Sequence, residues 1–152
     1  MTFELIPAVD LMKGKVVRLH RGEASSAKIY YTNPLYAAQR WVGEGAKTIH
    51  IIDLDAALNI GDNTEHIEQI VKNIEAKVQV GGGIRSLEKV ERLIKLGVLR
   101  IIIGTKALID KSFTKELIYR YGAERVVVAL DYLHNEVLVE GWTKRSGVGV
   151  KP

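Results

Sequence analysis

Five short apolar runs, separated by longer stretches with helical periodicity, set the pattern of the chain. The runs are rich in Ile and Val, and four of the five lack polar alternation. Continuous apolar runs of this length are typical of strands that are buried on both faces of a parallel sheet. The predicted strands occupy residues 5–9, 48–52, 77–80, 100–103 and 125–130.

Helical patterns fill the gaps between these strands. Asn33 followed by Pro34 predicts the start of a helix, with a capping side chain and then proline at the first helical position. Ser86 predicts the cap of a later helix, which Gly97 ends. Two further helical faces occupy residues 67–74 and 117–121. Strands that alternate with helices indicate an α/β fold.

The spacing of the predicted strand ends favours a barrel. Asp53, Gly81, Gly104 and Asp131 follow one another at intervals of 23 to 28 residues, close to one strand–helix–strand unit. This regularity predicts a (β/α)8 TIM-barrel type rather than an open doubly wound sheet. A full barrel takes about 250 residues, so we expect a single domain over residues 1–152. It would hold the first four βα units and strand five, without the C-terminal half of the barrel.

Two segments lie outside this regular pattern. Residues 13–32 form an insertion after the first strand, within which residues 15–19 predict a short strand. Residues 136–142 predict a further strand of a hairpin that turns at His134 and Asn135, whereas residues 146–152 carry no structural signal. Insertions that follow a barrel strand commonly serve the face that carries the active site.

Composition narrows the function classes. The formal net charge is +4, without a run of basic residues or interleaved aromatics, so we expect an anionic small molecule rather than a nucleic acid as the partner. Cysteine is absent, which excludes disulfides, thiol catalysis and Cys-bound metals. The sequence contains no apolar run of the roughly 20 residues that a membrane span needs and no signal peptide, so we expect a cytoplasmic location.

Glycine-rich strand ends predict a phosphate site. Gly81, Gly82 and Gly83 directly follow a strand and open a helix, where bare backbone N–H groups and the helix N-terminus favour an anion. Gly104 and Thr105 follow the next strand, so the two loops would meet at one anion. The alternative is a tight turn that packing alone requires.

Asp10 and Asp131 end the first and fifth predicted strands. In an eight-stranded barrel these strands lie opposite each other, so the two carboxylates could serve as the base and the acid of one reaction. The alternative for each is a helix cap or a loop anchor.

Other polar residues near the strand ends carry open alternatives. Asp53 and Asp55 could bind a metal or anchor a loop, and His50 could face the site or be a satisfied core histidine. Three arginines could hold the substrate or lie on the surface, and a tryptophan could stack on a flat ring or cover the core. These residues are Arg18, Arg21, Arg85 and Trp142.

Together the motifs resemble a known family. The chain is similar, in order and over about 145 residues, to the phosphoribosylformimino-5-aminoimidazole carboxamide ribotide isomerases of histidine biosynthesis, which are ribulose-phosphate-binding barrels. The resemblance implies an Amadori rearrangement, an aldose-to-ketose isomerisation of a bis-phosphorylated substrate without a metal or organic cofactor. The segments that carry it are residues 6–11, 14–19, 50–56, 79–86, 103–105 and 129–131.

The resemblance also implies a role for each candidate residue. Asp10 is similar to the proton acceptor of the family and Asp131 to its proton donor. The remaining residues match two groups of positions. Gly83, Gly104 and Thr105 match a phosphate site, and Arg18, His50, Arg85 and Trp142 match positions that line the substrate, with Trp142 stacked on the imidazole.

Two alternatives stay open at this point. The cyclase subunit of imidazole glycerol phosphate synthase shares the strand-end aspartates and the glycine motif, and Lys13 and Lys15 suit it. Arg85 after the glycine run and Trp142 favour the isomerase. The chain could also be a non-catalytic half-barrel that self-associates through open sheet edges. Since the family carries a second phosphate site in a C-terminal half, we expect little activity from these 152 residues alone.

Overall fold

A seven-stranded sheet forms the framework of the molecule. The computed structural model describes residues 3–20, 23–134, 136–139 and 144–149. In chain order the strands of this sheet are β1 (Ala8–Met12), β2 (Lys15–His20), β3 (Glu23–Tyr31), β4 (Thr48–Asp53), β5 (Lys77–Gly81), β6 (Arg100–Ile103) and β7 (Val126–Val128). A small second sheet holds β8 (Tyr132–Leu133), β9 (Glu136–Val139) and β10 (Lys144–Gly149).

Helices follow the central strands. They are α1 (Pro34–Gly43), α2 (Leu54–Ala57), α3 (Thr64–Asn73), α4 (Leu87–Leu96), α5 (Thr105–Ile109) and α6 (Lys111–Tyr121), with a 3-10 turn at Ala123–Arg125. Within the described ranges, no helix is long and apolar enough to cross a membrane.

The large sheet is built from βα units. Its strand order is β3-β2-β1-β4-β5-β6-β7, and β1, β4, β5, β6 and β7 pair in parallel. The predicted α/β fold with a parallel sheet is therefore confirmed, and it is consistent with part of a TIM barrel. The sheet is not closed, because β3 and β7 lie at its two ends.

Local signals explain where several helices begin and end. The side chain of Asn33 accepts a hydrogen bond from the Tyr36 amide at 3.2 Å, and Ser86 caps α4 in the same way. Gly97 ends α4 with a φ of 109°, a left-handed conformation that favours glycine. The predicted caps are thus confirmed.

The two faces of the sheet differ. One face packs against the helices through side chains that are almost fully buried, which contribute about 1.5–3 kcal/mol each. They include Val9, Ile49, Ile51, Val80, Ile101 and Ile103 from the strands and Ala38, Ile70, Leu93 and Leu117 from the helices. The other face carries half-buried polar side chains at Asp10, His50, Gln79 and Arg100.

Several predicted strand bounds were wrong. β1 begins at Ala8 rather than at residue 5, because Leu5 is exposed and Pro7 has no N–H to donate. Asp10 therefore lies inside the strand. β7 ends at Val128, three residues before Asp131, so neither aspartate ends its strand as predicted. In contrast, β6 has the predicted bounds.

Two strands were missed by the sequence analysis. β3 is largely polar and exposed, and it is specified by its antiparallel pairing with β2, the strand predicted from residues 15–19. β10 was expected to have no structure, but it pairs with β9, where Glu136 accepts hydrogen bonds from Arg145 and from the Gly147 amide. The predicted hairpin is present as β8 and β9; Asn135 and residues 140–142 lie outside the described residues.

Candidate active site

A cavity of about 330 Å³ opens on the polar face, at the carboxyl ends of the parallel strands. It brings together seven of the nine predicted site residues: Asp10, His50, Gly83, Arg85, Gly104, Thr105 and Asp131. Ala8, Ile52, Ala57, Gly82, Ile84, Ile102, Lys106, Ala129 and Leu138 complete its lining. Arg18 is not part of this lining, and Trp142 and Arg21 lie outside the described residues.

Asp10 and Asp131 approach the cavity from strands that are separated by three others in the sheet. Both can line one cavity because the sheet curves. Asp10 is half-buried, and this burial raises its pKa, while the nearby positive charge of Arg18 lowers it. Asp131 is exposed, and its backbone carbonyl accepts a hydrogen bond from the Leu138 amide at 2.7 Å. The β8–β9 hairpin is thereby attached beside the second carboxylate.

Arg18 acts on the site from its edge. It lies exposed on β2, next to Val17, the residue that pairs with Asp10. Its charge reaches Asp10 although its side chain does not line the cavity.

His50 is fixed by a neighbour on β5. Its Nδ1 lies 2.7 Å from Nε2 of Gln79. Burial lowers the pKa of His50, and the positive charge of Arg100 lowers it further. Both effects favour the neutral imidazole. His50 is thus hydrogen-bonded, as expected of a core histidine, and it also lines the cavity.

The glycine loop packs tightly against the end of β4 and against α2. Gly82 and Gly83 have φ values of 98° and 60°, which favour glycine. A Cβ atom would collide with the backbone carbonyl of Asp53 at Gly82 and with that of Ala56 at Gly83. Packing therefore accounts for these two glycines, and any anion would meet a loop that is already rigid.

Arg85 is held by backbone groups. Its guanidinium donates to the carbonyls of Ala56 and Ala57 at 2.9 and 3.1 Å. These carbonyls belong to the last residues of α2, where a cation compensates the free carbonyl groups of a helix end. Arg85 consequently stiffens the wall between the glycine loop and α2.

Lys106 is a cavity residue that the sequence analysis missed. It follows Gly104, the N-cap of α5, and Thr105, and its ammonium lies 2.8 Å from the Asp110 carboxylate. Hydrogen bonds from Lys106, from Ser112 and from the Phe113 amide hold the pKa of Asp110 far below its usual range. A lysine directly after a predicted phosphate loop was the signal that could have revealed it.

Asp53 and Asp55 anchor loops in this structure. Asn63, which is buried, donates from its side-chain amide to both carboxylates at 2.8 and 2.9 Å. The Lys13 and Gly14 amides, in the turn between β1 and β2, donate to Asp55 and Asn63 at 2.6 and 2.9 Å. Among the described residues, no group of three His, Cys, Asp or Glu side chains is placed to hold a metal ion.

Comparisons with known proteins agree with the motif resemblance. The chain is 48% identical over 143 residues to 1-(5-phosphoribosyl)-5-((5-phosphoribosylamino)methylideneamino) imidazole-4-carboxamide isomerase of Alkaliphilus metalliredigens, with 93% of this chain and 60% of the relative aligned. The enzyme of the same name from Deinococcus radiodurans is 42% identical over 147 residues, covering 97% of this chain and 62% of that relative. The chain thus spans about 60% of the length of these curated relatives.

A family-level comparison covers almost the whole chain. The sequence model of the family described as histidine biosynthesis protein matches residues 4–151. The matched range contains all nine predicted site residues, from Asp10 to Trp142. The chain therefore belongs to the histidine biosynthesis protein family.

Proposed function

We propose that the enzyme containing this chain is an aldose–ketose isomerase. It would act on the bis-phosphorylated imidazole carboxamide ribotide that the names of its relatives describe. The observation that carries this proposal is that two carboxylates, Asp10 and Asp131, line one cavity together with the glycine loop and Gly104. The names of the relatives support the isomerase over the cyclase. A histidine-biosynthesis role also supports our expectation of a cytoplasmic location.

One phosphate of the substrate would bind between two loops. The Gly83, Gly104 and Thr105 backbone lines the same end of the cavity, where N–H groups can bind an anion. Lys106 would add a positive charge beside this anion, and Asp110 would hold the lysine when the site is empty. Such a charge-assisted contact is stronger than one between neutral groups.

The two carboxylates would then transfer protons in sequence. Asp131 would protonate the ring oxygen of the aldose, which breaks the C1–O bond and opens the furanose. Asp10 would remove the C2 proton, giving an enolamine that tautomerises to the ketose. The burial that raises the pKa of Asp10 makes it a stronger base than an ordinary aspartate, which suits a proton acceptor. Both steps are proton transfers, so we expect no cofactor.

The remaining predicted residues would position the substrate. His50 and Arg85 line the cavity, and Arg18 sets the charge around Asp10 from its edge. The stacking of Trp142 on the imidazole is part of the proposal and rests on the resemblance alone.

Conservative changes at the two carboxylates test the proposal in the complete enzyme. Asp10→Asn and Asp131→Asn should each abolish turnover, while the affinity for inorganic phosphate, measured by calorimetry, stays within about threefold of wild type. Asp62→Asn is the matched control, because Asp62 is exposed and does not line this cavity. Turnover that persists in Asp10→Asn would refute the role of Asp10.

We also propose that a protein made of these 152 residues alone self-associates. The β7 end of the sheet has no neighbour among the described strands, and Val128 and Leu130 beside it are 44% and 51% exposed. Unpaired strand edges favour pairing with another chain. Sedimentation at several concentrations should show dimers or larger species that Val128→Lys weakens. A monomer at all concentrations would contradict the proposal.

A further inference from the structure

A row of side chains crosses the polar face of the sheet beneath the cavity. His50 on β4 is in register with Gln79 on β5, and Gln79 is in register with Arg100 on β6. Residues that share a register position on neighbouring strands point to the same face. Gln79 therefore lies between a titratable imidazole and a permanent cation.

Arg100 determines how the amide of Gln79 is turned. A guanidinium only donates hydrogen bonds and stays charged, so it favours the oxygen of the amide on its side. Nε of Arg100 is buried and has no hydrogen-bond partner among the described residues, which strengthens this preference. The NH₂ group of Gln79 then faces His50, in agreement with the 2.7 Å separation between Gln79 Nε2 and His50 Nδ1.

The direction of this hydrogen bond fixes the tautomer of His50. Because the NH₂ group donates, Nδ1 must accept, and the single proton of the neutral ring lies on Nε2. Within the described part of the chain, Nε2 has no hydrogen-bond partner. His50 lines the cavity together with Asp10.

We propose that Gln79 is a positioning residue that holds His50 as the neutral, Nε2-protonated tautomer, so that His50 offers an N–H donor to an oxygen atom of the bound sugar phosphate. Gln79 does not line the cavity and acts only through His50. The substrate part of this inference rests on the proposed function, whereas the tautomer does not.

The tautomer can be measured directly in the complete enzyme without a substrate. Nitrogen-15 spectra of the histidine side chains, with His50 assigned from the His50→Gln variant, distinguish a protonated from an unprotonated Nδ1. Wild type should show an unprotonated Nδ1 and a protonated Nε2 at pH 8. Gln79→Glu should move the proton to Nδ1, because a carboxylate only accepts hydrogen bonds, and should raise the pKa of His50.

Matched variants separate this role from a general structural effect. Gln39→Glu makes the same change on the exposed surface of α1 and should leave the His50 spectrum unchanged. Gln79→Leu should leave a mixture of the two tautomers, with a circular dichroism spectrum like that of wild type. The charged groups that share the polar face with His50 are Asp10 from β1 and Arg100 from β6, so the spectra of Asp10→Asn show whether Asp10 contributes.

Turnover then tests the function of the tautomer. Gln79→Glu should reduce kcat/KM by about 10- to 100-fold at pH 8, where the wild-type imidazole is neutral, and Gln39→Glu should not. An unprotonated Nδ1 without any isomerase activity would support the tautomer and sink the proposed function. A wild-type Nδ1 that is protonated, or a Gln79→Glu spectrum identical to that of wild type, would overturn the inference about Gln79.

Discussion

The two faces of the parallel sheet differ in what their side chains contact. On one face, Ile49, Ile51 and Ile101 are almost completely shielded by helices, and they contribute stability without offering reactive groups. On the other face, Asp10 and His50 are only half-buried, and burial shifts the pKa of each toward its neutral form. The comparison teaches that the polar face accepts a cost in stability to keep groups ready for chemistry.

The largest effect on stability is expected on the helix-covered face. Ile70 on α3 is completely buried in the main core. Ile70→Ala should lower the free energy of unfolding by about 2–5 kcal/mol, because it removes apolar contacts and leaves a cavity. Urea unfolding measures this change, and Ile60→Ala, at a residue that is 59% exposed, is the control. A loss below about 1 kcal/mol would contradict the assigned packing.

A smaller loss of stability is expected where the polar face meets α2. Gly83→Ala should lower the free energy of unfolding by about 1–3 kcal/mol, since alanine is strained at a φ of 60° and its Cβ would collide with Ala56. Gly43→Ala is the matched control, because Gly43 ends α1 and has no atom within 4 Å of the added Cβ. Equal stability of the two variants would show that the loop is not tightly packed.

Charge at the cavity should affect binding more than folding. Lys106→Met should weaken the binding of inorganic phosphate by about 3- to 10-fold, as expected for the loss of one partly exposed cation, about 0.7–1.4 kcal/mol. Calorimetry at low ionic strength gives the affinity. Lys111→Met serves as the control at an exposed lysine outside the cavity lining. Unchanged affinity in Lys106→Met would remove Lys106 from the phosphate site.

The smallest effect should appear in the pH dependence of stability. The folded-state pKa of Asp10 is raised above its ordinary value of 3.8, so the folded protein favours the protonated carboxyl. The stabilisation from this group is complete below the ordinary pKa and is lost as the pH rises through the folded-state pKa. Unfolding between pH 3 and 7 should therefore show a fall that Asp10→Asn lacks. Identical pH profiles would contradict the burial of Asp10.

Local signals made much of the fold predictable. Asn33, Ser86 and Gly97 set helix ends through bonds to residues three or four positions away, and the apolar runs of the parallel strands state their burial directly. β3 could not be predicted in this way, because its polar sequence forms a strand only through pairing with β2.

The candidate site was predictable to the extent that its residues lie near strand ends. Seven of the predicted residues meet at one cavity. The Asn63 network and the Gln79–His50 bond join residues that are 8 to 52 positions apart, and no sequence pattern marks such contacts. The position of Asp10 inside β1 depends on pairing with β2 and β4, which the apolar run alone does not specify.

The most direct test of the difference between the two faces is to measure catalysis and stability on one variant, Asp10→Asn in the complete enzyme. We predict that kcat/KM falls by about 10²- to 10⁴-fold, as expected for the loss of a general base, while the free energy of unfolding at pH 7 is equal to or above that of wild type. A variant that keeps wild-type turnover, or that loses activity only because it unfolds, would contradict the account.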